Sequence, residues 1–232
     1  MSRKTWIILS VILLLVAAGG GAIWYFNFNS DDDDTPAPVP TAAAGPVSTG
    51  GPVYEPRPTD HTFGNPRASV TVIEYASPTC PICANFMATL YPKLKSDYID
   101  KGRIFYVYRT FLRNPDDAVA EKLARCLPKD KYMAFMDVLF RNQQKWDYEF
   151  GIPSPDGVHV ALLGLVGTMG MSGADADRCI ADTKDDDAIS KVGEDGVAKY
   201  KITGTPTLVI NGHADEGFEQ FFAHLDAALA GK

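Results

Sequence analysis

Cys80-Pro81-Ile82-Cys83 stands directly behind Ser69–Ala76 (SVTVIEYA), a run dominated by β-branched and aromatic residues. Such a run reads as a buried strand. Proline is favoured at the first helical position, so Pro81 predicts a helix start with Cys80 as the N-cap. The chain must pass from strand to helix within a few residues, with a thiol at the junction. A capping sulfur can accept hydrogen bonds from the backbone N–H groups of Ile82 and Cys83. The helix dipole adds partial positive charge there. Both effects favour thiolate and predict a Cys80 pKa well below the ~8.5 of a free cysteine. The three-residue spacing puts Cys83 one turn into the helix, within disulfide reach, as the more buried, resolving partner. Two blander readings compete. A fixed staple closing so small a ring removes little chain entropy and stabilises poorly. Half of a zinc site would need a second CxxC or spaced histidines, and His61, His159, His213 and His224 show no ligand spacing. The residues favour a redox-active pair, with no metal and no cofactor expected.

Trp6–Phe26 is a 21-residue stretch without a charged side chain. As a helix it spans roughly 31 Å, about the thickness of a bilayer core. Arg3 and Lys4 precede it and Asp31–Asp34 follow it, with Trp6, Trp24 and Tyr25 at its ends. That pattern predicts a single-pass anchor over 1–30 with the N-terminus in the cytoplasm. A cleaved signal peptide, cut within Ala17–Ala22, is the alternative. Either way the remainder is expected outside the cytoplasmic (inner) membrane, in an oxidising periplasmic or extracytoplasmic compartment. Residues 31–58 are rich in proline, alanine and glycine and read as a semi-rigid tether.

Apolar residues make up 46% of the 232, which excludes wholesale disorder. Residues 59–232 hold 19 Lys and Arg against 24 Asp and Glu. That balance disfavours nucleic acid as a partner. After Cys80 a helix is predicted to about Asp100, with Ile82, Phe86, Leu90, Leu94 and Tyr98 at a four-residue step and a kink at Pro92. Arg103–Arg109 and Thr207–Ile210 read as further strands, and Gly217–Leu229 as a final amphipathic helix. Between them the pattern is helical, in pieces at 116–127, 129–146, 156–170, 173–182 and 186–200. Tyr132, Phe135, Met136, Leu139 and Phe140 are expected in its core. Asp185–Asp187 reads as a solvated helix start, and Arg109 as a possible partner for an acid near the site. The fold class expected is α/β: a mixed sheet built from 59–114 and 201–232, with an all-helical subdomain, 115–200, inserted between them.

Glu74-Tyr75-Ala76-Ser77-Pro78-Thr79-Cys80-Pro81-Ile82-Cys83, the helical block, and Gly204-Thr205-Pro206-Thr207 opening a strand together resemble the DsbA family of the thioredoxin fold. The resemblance covers about residues 60–230. It implies a cis Thr205–Pro206 bond facing the disulfide, with Gly204, Thr205 and Pro206 forming the substrate-binding segment. An ordinary trans proline at a strand edge is the competing reading. It also implies that Glu74 is a buried acid relaying a proton to and from Cys83; alternation along the strand places Glu74 with Val72 and Ala76. An exposed, inert Glu74 is the alternative. One departure matters. Ile82 stands where the most oxidising members carry a histidine, and it offers no donor to the thiolate. A couple less oxidising than the extreme is therefore expected.

Cys126 and Cys179 lie on predicted helices of the inserted block. In an exported chain this leftover pair is expected to be bonded, as in some similar DsbA-like proteins of alphaproteobacteria. A second redox pair or two free thiols are the alternatives. The function implied is disulfide donation to reduced, exported proteins by a monomer, with reoxidation by a DsbB-like membrane partner. A reductase or isomerase served by a DsbD-like partner is the nearest rival, although no Trp precedes Cys80 and no N-terminal dimerisation domain is visible. A non-catalytic thioredoxin-like binding or holdase module is the rival from another class.

Overall fold

The computed structural model describes residues 57–152, 154–215 and 217–231. The expected anchor, 6–26, and all of the tether but Arg57 and Pro58 lie outside the described residues. Among the described residues no helix is long and apolar enough to cross a membrane. Arg57 already belongs to the folded domain, since its guanidinium meets Asp195 at 2.5 Å.

Five strands form one mixed sheet in the order β1-β3-β2-β4-β5. They are β1 (His61–Gly64), β2 (Thr71–Ala76), β3 (Phe105–Thr110), β4 (Thr207–Ile210) and β5 (His213–Ala214). β2 and β3 pair in parallel, and the remaining pairs are antiparallel. β1 and β5 were not expected. They are short edge strands without a β-branched run, and they carry little sequence signal.

Every residue of β2 is buried, because the sheet is covered on both sides. On one face Val72, Tyr106, Tyr108, Leu208 and Ile210 pack with Cys83, Phe86 and the helical block. On the other, Ile73, Tyr75, Val107 and Val209 pack under Val192, Tyr200 and Ile202.

The long helix expected after Cys80 is divided. α1 (Pro81–Thr89) ends at Leu90, α2 (Tyr91–Leu94) follows, and Lys95–Ile99 continues as a π-helical turn. Pro92 supplies no N–H to the preceding turn, so the break falls just before it. Between β3 and β4 come α3 (Pro115–Cys126), α4 (Tyr132–Arg141), α5 (Gln143–Trp146), α6 (Pro155–Gly167), α7 (Gly173–Ala181) and α8 (Asp186–Tyr200). The piece expected at 129–146 is interrupted at Asn142, whose side-chain amide turns back to the Val138 carbonyl at 2.7 Å. A last helix, α9, covers Phe221–Leu229. It starts later than expected because Gly217, at φ +95°, lies outside helical space.

The inserted block is also smaller than expected. α8 lies against the sheet face of Tyr75 and Val107, so the helical subdomain comprises α3–α7. Gly196 permits the contact: a Cβ there would come within 2.8 Å of the Tyr75 ring and 2.9 Å of the Ile202 side chain. Around buried Glu121 on α3 the block is joined to the sheet. Burial works against its charge, but His61, Arg125 and Thr110 hold its carboxyl down at about 2. His61 itself is stacked on Tyr132 at 3.3 Å.

Candidate active site

β2 delivers the chain to the loop Ser77–Thr79, and Cys80 follows as the N-cap of α1, with φ −82° and ψ 118°. Pro81 occupies the first turn, as its fixed φ allows. The Cys83 backbone N–H donates to Cys80 Sγ at 3.4 Å. Both cysteines are free thiols. Cys80 keeps 5% of its surface exposed and Cys83 none, while Ile82 beside them is 56% exposed.

The two sulfurs are driven apart electrostatically. A hydrogen bond from the Cys83 thiol, helped by the backbone N–H groups of Cys83 and Ile82, outweighs burial and lowers the Cys80 pKa to about 5. Burial pushes the Cys83 thiol far up, and so do its bond to Cys80, the Cys80 charge and the charge of Glu74.

The Thr205–Pro206 peptide is cis. The Thr205 carbonyl lies 3.2 Å from Cys80 Sγ and accepts the hydrogen of the thiol form. The Thr205 hydroxyl is buried with no hydrogen-bond partner of its own. Gly204, Thr205 and Pro206 line a cleft of about 550 Å³, together with Ile82 and Phe218. The residues read from the sequence as the redox pair and as the substrate-binding segment thus meet at one place, although 125 positions separate Cys80 from Thr205.

Glu74 is fully buried on the face of β2 that carries Val72 and Ala76. The alternative of an exposed Glu74 does not hold. Its Oε2 accepts the Tyr106 hydroxyl, and its Oε1 has no hydrogen-bond partner. Burial raises its pKa to about 7 against the opposing pull of that bond. Arg109 goes elsewhere: it pairs with Asp60 at 2.7 Å and donates to Tyr75 Oη at 2.8 Å, on the sheet face opposite Cys83. Cys126 and Cys179 are bonded to each other, joining the end of α3 to α7.

Two residues that hold the loop carry no signal in the sequence. Asp117, in the first turn of α3, accepts the Ser77 hydroxyl and the Thr79 N–H, each at 2.9 Å. Gln143, at the start of α5, donates to the carbonyls of Pro78 and Cys80. Both lie on helices whose local pattern predicts only packing; their partners are some forty and sixty-five residues away.

Comparison with known proteins agrees with this arrangement. The family model described as Thioredoxin matches residues 56–227. A Rickettsia bellii protein named as a protein-disulfide oxidoreductase is 32% identical over 174 residues, covering 73% of this chain and 64% of the relative. The chain spans 53% to 64% of the length of the Rickettsia relatives it matches. A Bacillus cereus protein named "probable disulfide bond formation protein D" is 29% identical, covering 74% of this chain and 79% of its own. The crystal structure of Wolbachia pipientis alpha-DsbA1 superposes with a TM-score of 0.66 at 26% identity, covering 75% of this chain and 93% of that one. By the family match over residues 56–227 and the similarity to alpha-DsbA1, this chain belongs to the thioredoxin family as a DsbA-like member.

Proposed function

We propose that the chain is a thiol–disulfide oxidoreductase that donates the Cys80–Cys83 disulfide to reduced, exported proteins. A substrate thiolate attacks Cys80 Sγ of the oxidised pair. The Cys80–Cys83 bond breaks, and its electron pair leaves on Cys83 Sγ. A mixed disulfide joins substrate to Cys80, with the substrate strand lying along Gly204–Pro206. The released Cys83 sulfur is far too basic to remain a thiolate, and it takes a proton; Glu74, poised at about 7, is the buried acid that supplies it. A second substrate thiolate then attacks the substrate's own sulfur. The substrate leaves oxidised, and Cys80 leaves as a thiolate.

The observation that carries this reading is the Cys80 sulfur itself, held at a helix start and ionising at about 5. A low pKa makes it a good leaving group, which favours donation. That value falls between those of thioredoxin, ~7, and of the strongest bacterial oxidant, ~3.5. The names of the Rickettsia and Bacillus relatives support the same chemistry. The uncharged stretch at 6–26, with basic residues before it and acidic ones after, supports a place outside the inner membrane, tethered to it. Reoxidation falls to a membrane partner of the DsbB kind, and the protein works as a monomer.

The test is equilibration of the full-length chain with glutathione. The expected potential lies between about −270 and −120 mV, and Cys80→Ser abolishes exchange. A potential at or below the lower bound assigns the reductive direction instead, with a DsbD-like partner. Function intact in Cys80→Ala would establish the non-catalytic binding module.

A further inference from the structure

We propose that Gln143 is a positioning residue for the Cys80 sulfur: its side-chain amide pins the carbonyls on either side of Thr79 and so fixes the helix-capping geometry of Cys80. The proposal rests on the exchange reading above and names a group outside the thioredoxin frame that sets its reactivity.

Gln143 opens α5 in the helical subdomain and is only 6% exposed. Its Nε2 lies 2.8 Å from the Pro78 carbonyl and 2.9 Å from the Cys80 carbonyl. A primary amide carries two hydrogens, so each carbonyl receives one. The Cys80 carbonyl also accepts the Ala84 N–H at 3.1 Å, as the first acceptor of α1. Two donors converging on that one oxygen remove rotation about the Cα–C bond of Cys80, whose ψ of 118° is what makes it a cap rather than a helical residue. With that torsion held, the side chain is directed over the Cys83 N–H. The loop is gripped from its other side by Asp117, through the Thr79 N–H. Among the described residues the Pro78 carbonyl takes its hydrogen bond from the Gln143 amide. The sulfur's alignment therefore depends on a side chain of the inserted domain that touches neither sulfur.

Gln143→Met keeps length and volume and removes both donors. Gln143→Glu keeps shape and sets a carboxylate against two carbonyls. Each variant of the full-length chain is read in three ways: thiolate absorbance against pH, the glutathione equilibrium, and thermal unfolding. In wild type the Cys80 transition is expected near 5. Gln143→Met is expected to raise it by about one unit while the protein still unfolds cooperatively. The glutathione equilibrium moves about tenfold toward the disulfide, which is about 30 mV more negative. Gln143→Glu moves both further in the same direction. A transition and an equilibrium that stay at wild-type values in either folded variant overturn the proposal. So does failure of both variants to fold, which would make Gln143 a residue of the core and not of the site. A wild-type Cys80 that titrates like free cysteine instead sinks the exchange reading itself, whatever the variants do.

Discussion

Burial acts on Cys80 and Glu74 alike, and the two move in opposite directions because one gains several donors and the other a single one. Cys80 receives hydrogens from the Cys83 thiol and from backbone N–H groups and falls to about 5; Glu74 has the Tyr106 hydroxyl alone and rises to about 7. Each shift ties stability to pH. Unfolded, Glu74 ionises at 4.5; folded, at about 7. Between those values the folded state holds the extra proton, so stability falls as pH rises through that window and is level above it. Glu74→Gln keeps the shape and an acceptor for Tyr106 but does not titrate. It is expected to exceed wild type by about 3 kcal/mol near pH 8 and to match it near pH 4. Melting temperatures at the two pH values check this, and equal gains at both would contradict it. The Cys80 shift has the other sign. Its folded value is depressed from 9.0 to about 5, so the reduced protein gains stability relative to the disulfide form as pH rises between them. Denaturant unfolding of both redox forms, from about pH 5 to about pH 8, reads this as a steady gain of the reduced form over the disulfide form, and a constant difference would refute it.

Elements whose signal is local were legible in the sequence, and elements defined by their neighbours were not. β2, the start of α1 and the strand after Pro206 announced themselves through β-branched runs and a proline at N1, and the redox pair came with them. Asn114 caps α3 through its own side chain, which accepts from the backbone N–H groups of Asp116 and Asp117, a local signal that the sequence reading did not use. The edge strands β1 and β5 owe their conformation to pairing with β3 and β4. The place of α8 was hidden for a different reason. Its helical pattern is that of any amphipathic segment, and what sends it to the sheet is the small size of Gly196 against the Tyr75 ring. That contact yields a prediction. Gly196→Val places a branched side chain where even a Cβ approaches Tyr75 to 2.8 Å. Overpacking is expected to destabilise the domain by about 1–3 kcal/mol. Denaturant unfolding measures it, and a neutral or stabilising change would place α8 away from the sheet.

Across the whole molecule, the helical subdomain serves the site at one end and is braced at the other. The N-terminal turn of α3 carries Asp117, which holds the loop before Cys80; its C-terminal residue is Cys126, bonded to Cys179 across 53 positions. About nine helical steps, roughly 14 Å, separate the two ends. Distance on a rigid helix decides which property each end controls. Opening the cross-link frees a long loop in the unfolded chain, and the chain-entropy relation gives a cost of about 4 kcal/mol. It leaves the surroundings of Cys80 untouched, because the sulfur's donors belong to α1 and the groups that hold its loop lie in the first turn of α3 and at Gln143. Cys126→Ala with Cys179→Ala is therefore expected to lower the unfolding free energy by a few kcal/mol while the Cys80 thiolate transition stays near 5. Unfolding in denaturant and absorbance titration of the same sample separate the two effects. A thiolate transition that shifts with the cross-link would mean that α3 does not act as a rigid bar, and that the second disulfide reaches the first through it.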